Sequence, residues 1–198
     1  MDEKKYQSKY KRVGQAYDRK DAREKVTGQA VYAYDMELPG MLHARCLLSP
    51  YARAKIVSID TSKAKALPGV RAVLCGEDSD ILVGLYMQDK RVLAKGETRY
   101  HGDVVAAVAA DDEETAERAI SLLEVVYEPL QPVHDVDEAL EAKILVHDDI
   151  NELKHYVGVF FPQKDSNIAS WNKSKKGDLE KAFAKSDVVV ENEFSLPA

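Results

Sequence analysis

Side chains able to do polar chemistry are few and scattered along this 198-residue sequence. Five histidines stand at positions 43, 101, 134, 147 and 155 and two cysteines at 46 and 75, with no HxxxH pair; only His43 and Cys46 come close together. A closed zinc site takes about four nitrogen or sulfur ligands, so this distribution argues against structural zinc. His147, Asp148 and Asp149 make an oxygen-rich triplet, which a solvated loop explains as well. Neither GxGxxG nor a GxxxxGK phosphate loop occurs, and the interval from Gly96 to Gly102 has the wrong spacing for a phosphate cradle. No GxSxG marks a hydrolase nucleophile. Tyr100, His101, Gly102 and Asp103 form the one polar cluster placed at the mouth of a strand, and a tight glycine turn accounts for it equally well. From the residues alone no catalytic, cofactor-binding or metal-binding position is assigned.

The elements that would position such a cluster are clearest from Thr98 to Leu130. Asp103 to Ala110, DVVAAVAA, is a continuous apolar run of the kind found in a strand covered on both faces. The acids at 111 to 114 supply an N-cap and favourable charge for a helix start, and Ala116, Ala119, Ile120 and Leu123 give that helix one apolar stripe. Val125 to Tyr127 resumes a strand that Pro129 stops, which reads as a βαβ-like unit. A second such unit precedes it: KIVSID as strand, Asp60 capping the helix TSKAKAL, Pro68 and Gly69 ending it, then a strand over Val70 to Leu74 closed by Gly76. In the run from Met41 to Ser49, alternation puts Leu42, Ala44, Cys46 and Leu48 on one face, so Cys46 reads as a core thiol.

The remaining segments are less regular. VTGQAVYAYD, from Val26, is expected to turn at Thr27 and Gly28 and continue as a β-rich run. Residues 77 to 101 form a long excursion, Val136, Ala139 and Leu140 mark a short helix, and His147 to Gly177 has the polar composition of a long loop that wraps something or meets a partner. Asp178 caps a last helix bearing Leu179, Ala182 and Phe183, followed by DVVVENEF as an alternating strand. That strand has no closing element before Ala198, which suggests one part of a longer polypeptide.

A composition of 45% hydrophobic and 31% charged residues is that of a water-soluble globular domain, and no apolar run approaches the ~20 residues that span a bilayer. Two cysteines and the lack of a signal-type leader predict a cytoplasmic location with free thiols. The total charge of −6 is uneven: the first 25 residues carry nine Lys or Arg against five acids, net +4, which leaves −10 for the rest. Tyr6, Tyr10 and Tyr17 interleave with these bases, the composition of a nucleic-acid arm as well as of a solvated chain end. The acidic body would repel a phosphate backbone beyond the arm.

Several stretches together resemble one known family. VGQAYDRKDAREKVTGQAVYAYDMELPGMLHARCLLSPYARAKIVSIDTSKAKALPGVRAVLCGED, then RYHGDVVAAVAAD, ERAISLLEVVYEPLQPVHDVDEAL and GDLEKAFAKSDVVVENEF, are similar to the start of the molybdenum subunit of the xanthine dehydrogenase and aldehyde oxidase family. The likeness includes the spacing of Asp21, Gly28, Pro39, Ser49, Pro50, Gly69, Gly102 and Gly177. It implies an α+β fold, the α/β hammerhead: a mixed sheet with a few helices packed on it. It divides the chain into a flexible basic leader (1–12), the hammerhead domain (13–150), and a linker, short helix and strand (151–198) leading toward a molybdopterin-binding domain. It also implies a hydroxylase that inserts an oxygen from water at a carbon of an aldehyde or N-heterocycle. Molybdopterin-molybdenum would lie in other domains of the subunit, with [2Fe-2S] and FAD in partner subunits or domains. The family's pterin-contacting motifs and base glutamate have no counterpart among these residues, so no catalytic or cofactor-binding role is carried onto any position, and the implied role is packing. Nucleic-acid binding by the basic arm is the alternative.

Overall fold

The computed structural model describes residues 16–148, 150–156, 158–194 and 196, so the basic leader through residue 15, Asp149, Val157, Ser195, Pro197 and Ala198 lie outside the described residues. Two units separate, one through Leu42 and one from His43 onward.

In the first unit, helix α1 (Ala22–Val26) ends where the Thr27 hydroxyl donates to the Arg23 carbonyl (2.7 Å) and Gly28 takes φ 70°. The β-rich run expected after this turn is not a strand. Its regular part is a single 3-10 turn, Ala33–Asp35, closed by the Tyr32 amide donating to the Asp35 carboxylate (2.9 Å). Val31, Tyr32 and Tyr34 are all exposed, and a strand needs a neighbouring edge to satisfy its backbone, which none of the described residues supplies.

The second unit runs β1 (His43–Leu48), β2 (Ala54–Asp60), α2 (Ser62–Ala66), β3 (Val70–Cys75), β4 (Leu82–Val83), β5 (Lys90–Arg91), β6 (Glu97–Thr98), β7 (Val104–Ala110), α3 (Glu113–Ser121), β8 (Glu124–Pro129), α4 (Val136–Glu141) and α5 (Leu179–Ala184). The α+β class is as expected, and every strand pairing is antiparallel. One sheet has the order β1-β7-β3, a second β6-β2-β8, and β4 pairs with β5. Neither strand–helix–strand run is therefore a βαβ unit within one sheet: β2-α2-β3 and β7-α3-β8 are crossovers between the first two sheets. Periodicity locates a strand, but only long-range pairing decides which sheet it joins.

Asp60, expected to cap α2, lies one residue outside it: the N-cap is Thr61, whose side chain makes no cap bond, and Asp60 accepts the Ser62 amide (2.8 Å). The aspartate caps expected before α3 and α5 are present, Asp112 accepting from the Thr115 amide (2.7 Å) and Asp178 from the Lys181 amide (3.2 Å), and Asp135 accepts likewise from Glu138 (2.8 Å). Such caps are each worth about 1 kcal/mol. Helices α2 and α3 lie on one face of the β1-β7-β3 sheet, and the core is Ala64, Val73, Ala106, Val108, Ala119 and Leu123. Small residues let backbone layers approach closely. Ala116 and Ala119 are fully buried, whereas Ile120 packs at the edge. Arg45 on β1 reaches the carboxylates of Glu113 and Glu117 on α3.

That arrangement reverses the face expected of β1. His43, Arg45 and Leu47 point to the helix side, and Ala44, Cys46 and Leu48 are exposed. Cys46 is thus a surface thiol, because the long stem of Arg45 is recruited to clamp α3 and covers apolar surface on the way. Through the ladder Cys46 pairs with Ala107, which pairs with Leu74, and Ala44 with Ala109, which pairs with Ala72. These paired positions line the outer face of the sheet with small and aliphatic residues.

DVVVENEF is the second departure. Val188, Val189, Val190 and Phe194 are exposed and unpaired in the ladder, for want of an edge to join among the described residues.

Candidate functional site

The polar cluster at Tyr100 to Asp103 is a turn. The Gly102 amide donates to the Ser49 carbonyl (2.9 Å), the Ser49 amide to the Asp103 carbonyl (2.8 Å), and the Asp103 amide to the Tyr100 carbonyl (3.1 Å). Gly102 has φ 88°, a left-handed conformation that explains the glycine without any ligand. Asp103 is buried and accepts the Arg99 amide (3.1 Å), while the buried hydroxyls of Ser49 and Thr98 bond each other (3.1 Å). His101 is exposed on the turn, away from the remaining cluster members that line a cavity.

Tyr100 and Asp103 instead form one wall of a cleft of about 250 Å³ with Asp89, Lys90, Arg91, Glu97, Arg99, Val146 and His147. Its roof comes from the segment expected to be a loop that wraps something. The Gln88 amide donates to the Lys154 carbonyl (2.7 Å), the Tyr156 amide to the Tyr86 carbonyl (3.1 Å), and Arg99 Nε to the Val146 carbonyl (3.0 Å). Asn167 holds the roof from behind: its Oδ1 accepts the Val146 amide (2.8 Å), and its Nδ2 donates to the Ala139 (3.0 Å) and Ile144 (2.8 Å) carbonyls. One side chain therefore satisfies three backbone groups, including a carbonyl from α4. The strap covers part of the irregular excursion over residues 77 to 101, bonding it at Tyr86, Gln88 and Arg99. Gly76 fixes the far side, since a Cβ there would lie 2.2 Å from the Ala94 carbonyl oxygen.

Electrostatics in the cleft are uneven. Glu97 is gripped by Arg53 (3.4 Å to each oxygen) and faces Arg99 Nε (3.6 Å). His147 Nε2 stands 3.5 Å from Asp89. Burial holds the His147 imidazole below its usual pKa, the Arg99 guanidinium adds to this, and Asp89 opposes it. Arg91 shares the Asp80 carboxylate with Lys95, chiefly the latter, and the two cations keep Asp80 below the ordinary carboxylate range. Lys90 Nζ sits 5.0 Å from the centre of the Tyr100 ring, a cation–π distance.

No group of three or more His, Cys, Asp or Glu side chains among the described residues is placed to hold a metal ion. His147 and Asp148 belong to the strap. The exposed Cys46 and the partly buried Cys75 are on opposite faces of their sheet, and Cys75 Sγ donates to Asp78 (3.2 Å). Burial and then the Asp78 carboxylate raise the Cys75 thiol pKa, which suits a structural thiol. An iron–sulfur cluster held by four thiolates does not fit a chain with two cysteines.

Comparison with known proteins fits this architecture. Residues 27–131 match the family described as aldehyde oxidase and xanthine dehydrogenase, a/b hammerhead domain. The chain is 38% identical over 182 residues to a probable xanthine dehydrogenase subunit of Bacillus subtilis, covering 90% of this chain and 22% of that protein. It is 39% identical over 175 residues to the carbon monoxide dehydrogenase large chain of Afipia carboxidovorans, covering 85% and 21% respectively. Among solved structures, Cu,Mo-CO dehydrogenase in its carbon monoxide reduced state superposes with TM-score 0.64 at 32% identity, over 87% of this chain and 22% of that one. Quinoline 2-oxidoreductase from Pseudomonas putida 86 gives TM-score 0.59 at 38% identity, over 66% and 18%. The chain thus spans about a fifth of the length of these relatives. By family match, identity and superposition alike, it belongs to the aldehyde oxidase and xanthine dehydrogenase family and carries that family's a/b hammerhead domain.

Proposed function

We propose that this chain is the structural hammerhead portion of a molybdenum hydroxylase and contributes no catalytic, cofactor-binding or metal-binding residue to it. The observation that carries this reading is 38% identity over 90% of the chain with a probable xanthine dehydrogenase subunit, joined to a fold in which many polar side chains serve helix caps, turns and the strap. The reaction would hydroxylate a carbon of an aldehyde or N-heterocycle with water supplying the oxygen: the substrate C–H bond gives up two electrons and one proton, and water gives up the second proton. Molybdopterin-molybdenum would be held by other domains, and when bound it would supply the oxygen-transfer and two-electron chemistry; iron–sulfur and FAD subunits or domains would be the route by which the electrons leave. We place this in the cytoplasm. No helix among the described residues is long and apolar enough to cross a membrane.

Within that assembly the domain's work is mechanical. The outer face of the β1-β7-β3 sheet, with Ala44, Cys46, Leu48, Leu74, Ala107 and Ala109, is the surface on which we seat the pterin-binding domains, because close-packed layers need small residues and no charge. The domain boundaries follow from the same reading: leader 1–12, hammerhead 13–150, and 151–198 leading on. Binding of nucleic acid by the arm gains no support from the relatives.

Metal analysis of the purified chain, with an assay for aldehyde and purine oxidation, tests the reading. The expected result is sub-stoichiometric molybdenum and no turnover; one molybdenum per chain would overturn it.

A further inference from the structure

The cleft roofed by the strap has donors left over. Three acids line it: Asp103 accepts the Arg99 amide, Glu97 is held by Arg53 and Arg99, and Asp89 stands 3.5 Å from the His147 imidazole. Three cations line it too, and they are engaged less fully. Arg99 gives Nε to the Val146 carbonyl, and its two terminal nitrogens have no partner among the described residues. Arg91 offers one nitrogen to an Asp80 that Lys95 holds more closely. Among the described residues no carboxylate lies within ion-pair distance of Lys90; its ammonium is held chiefly by Tyr100, with weaker attraction from Asp103 and Asp89. A fork of guanidinium N–H groups, a second guanidinium and an ammonium facing one partly enclosed volume match the oxygens of a planar or tetrahedral anion.

We propose that this cleft is a binding site for a small oxyanion, a phosphate or carboxylate group, held by Lys90, Arg91 and Arg99. The volume of about 250 Å³ admits such a group with a short substituent. The site is assembled from distant parts of the chain, since Arg99 takes its orientation from a Val146 carbonyl, in a segment whose Val146 amide Asn167 holds. A strap pinned this way restricts the guanidinium before the ligand arrives, which reduces the ordering cost of binding. The proposal is independent of the molybdenum reading and concerns a different part of the domain from the outer face of the β1-β7-β3 sheet.

Isothermal titration calorimetry of the purified chain with inorganic phosphate, at ionic strength held constant with chloride, should show one saturable site. Acetate and phosphate arms separate the two ligand classes, and saturable binding of either supports the proposal. Lys90→Gln, at the exposed rim, and Arg99→Gln should each weaken binding about tenfold, the loss of one charge-assisted contact. Should Arg99→Gln fail to fold, Lys90→Gln together with the ligand-induced shift of the His147 ring resonances in the wild type decides the matter. No saturable heat with either anion, or the same affinity in wild type and Lys90→Gln, overturns the proposal.

Discussion

The β1-β7-β3 sheet with its two helices and the strap-covered cleft are held together by different forces. In the sheet, Val73, Ala106, Val108 and Ala119 are sealed from water, and stability comes from burial at about 25 cal/mol per Å² together with a regular ladder. In the cleft, Asn167, Arg99 and Glu97 connect segments far apart in sequence through individual hydrogen bonds, each worth about 1 kcal/mol net. Burial is non-directional and tolerates exchange of one apolar residue for another. A hydrogen-bonded strap depends on single side chains, so it should fail locally while the sheet survives.

The contrast breaks first at the sheet. Val108→Asp puts an unpaired carboxylate at a fully buried position and should cost at least about 4 kcal/mol, enough to abolish cooperative melting by circular dichroism. A melting midpoint within a few degrees of wild type would mean that the core is misassigned. Gly76→Ala, which drives a Cβ onto the Ala94 carbonyl, should lose about 2–3 kcal/mol in urea denaturation, with the loss shared by both regions because Gly76 lies between them. Asn167→Ala removes three bonds and should cost about 1–3 kcal/mol, expressed locally. Hydrogen exchange should speed at the Val146 amide and stay slow at β7; equal acceleration in both would show that the two regions unfold as one.

A smaller effect comes from pH. The folded-state pKa of His147 is depressed, so the unfolded chain binds the proton more readily. Its contribution is therefore fully present above the unfolded value of about 6.5 and declines as pH falls below it toward the folded value. This window lies above that of Asp80, Asp112 and Asp178, whose depressed values withdraw stability only below the ordinary carboxylate range near 3.8. His147→Gln should flatten the stability profile between neutrality and about pH 5. The smallest effect is at the thiols. Cys46→Ser should change stability by less than about 0.5 kcal/mol, and Cys46 should react with a thiol reagent well before Cys75 in the native state.

The sheet region is largely legible in the sequence and the cleft is not. The strand at 104–110, the helix after Asp112, the strand stopped by Pro129 and the aspartate caps all follow from patterns a few residues wide. Alternation misplaces Cys46 because it reveals that a strand has two faces without saying which meets the helices, and Arg45, a charged residue, takes the inner one. Asn167 gives no signal at all: one asparagine in a polar run looks like loop filler until its three backbone partners, 21 to 28 residues away, are known. Tyr100 and Asp103 announce a turn, and their share in a cleft with Arg99 and His147 requires the fold.

By itself the sequence determined the class of fold, the positions of most strands and helices, their caps and the family. These depend on local periodicity, on side-chain bonds to the nearest backbone, and on residue spacing. Only the tertiary structure decided that the two strand–helix–strand runs bridge separate antiparallel sheets, that the outer sheet face carries Cys46, and that a strap closes a cleft lined by Lys90, Arg91 and Arg99. Each of these is a pairing between residues distant along the chain, selected by the free energy of the whole packed unit.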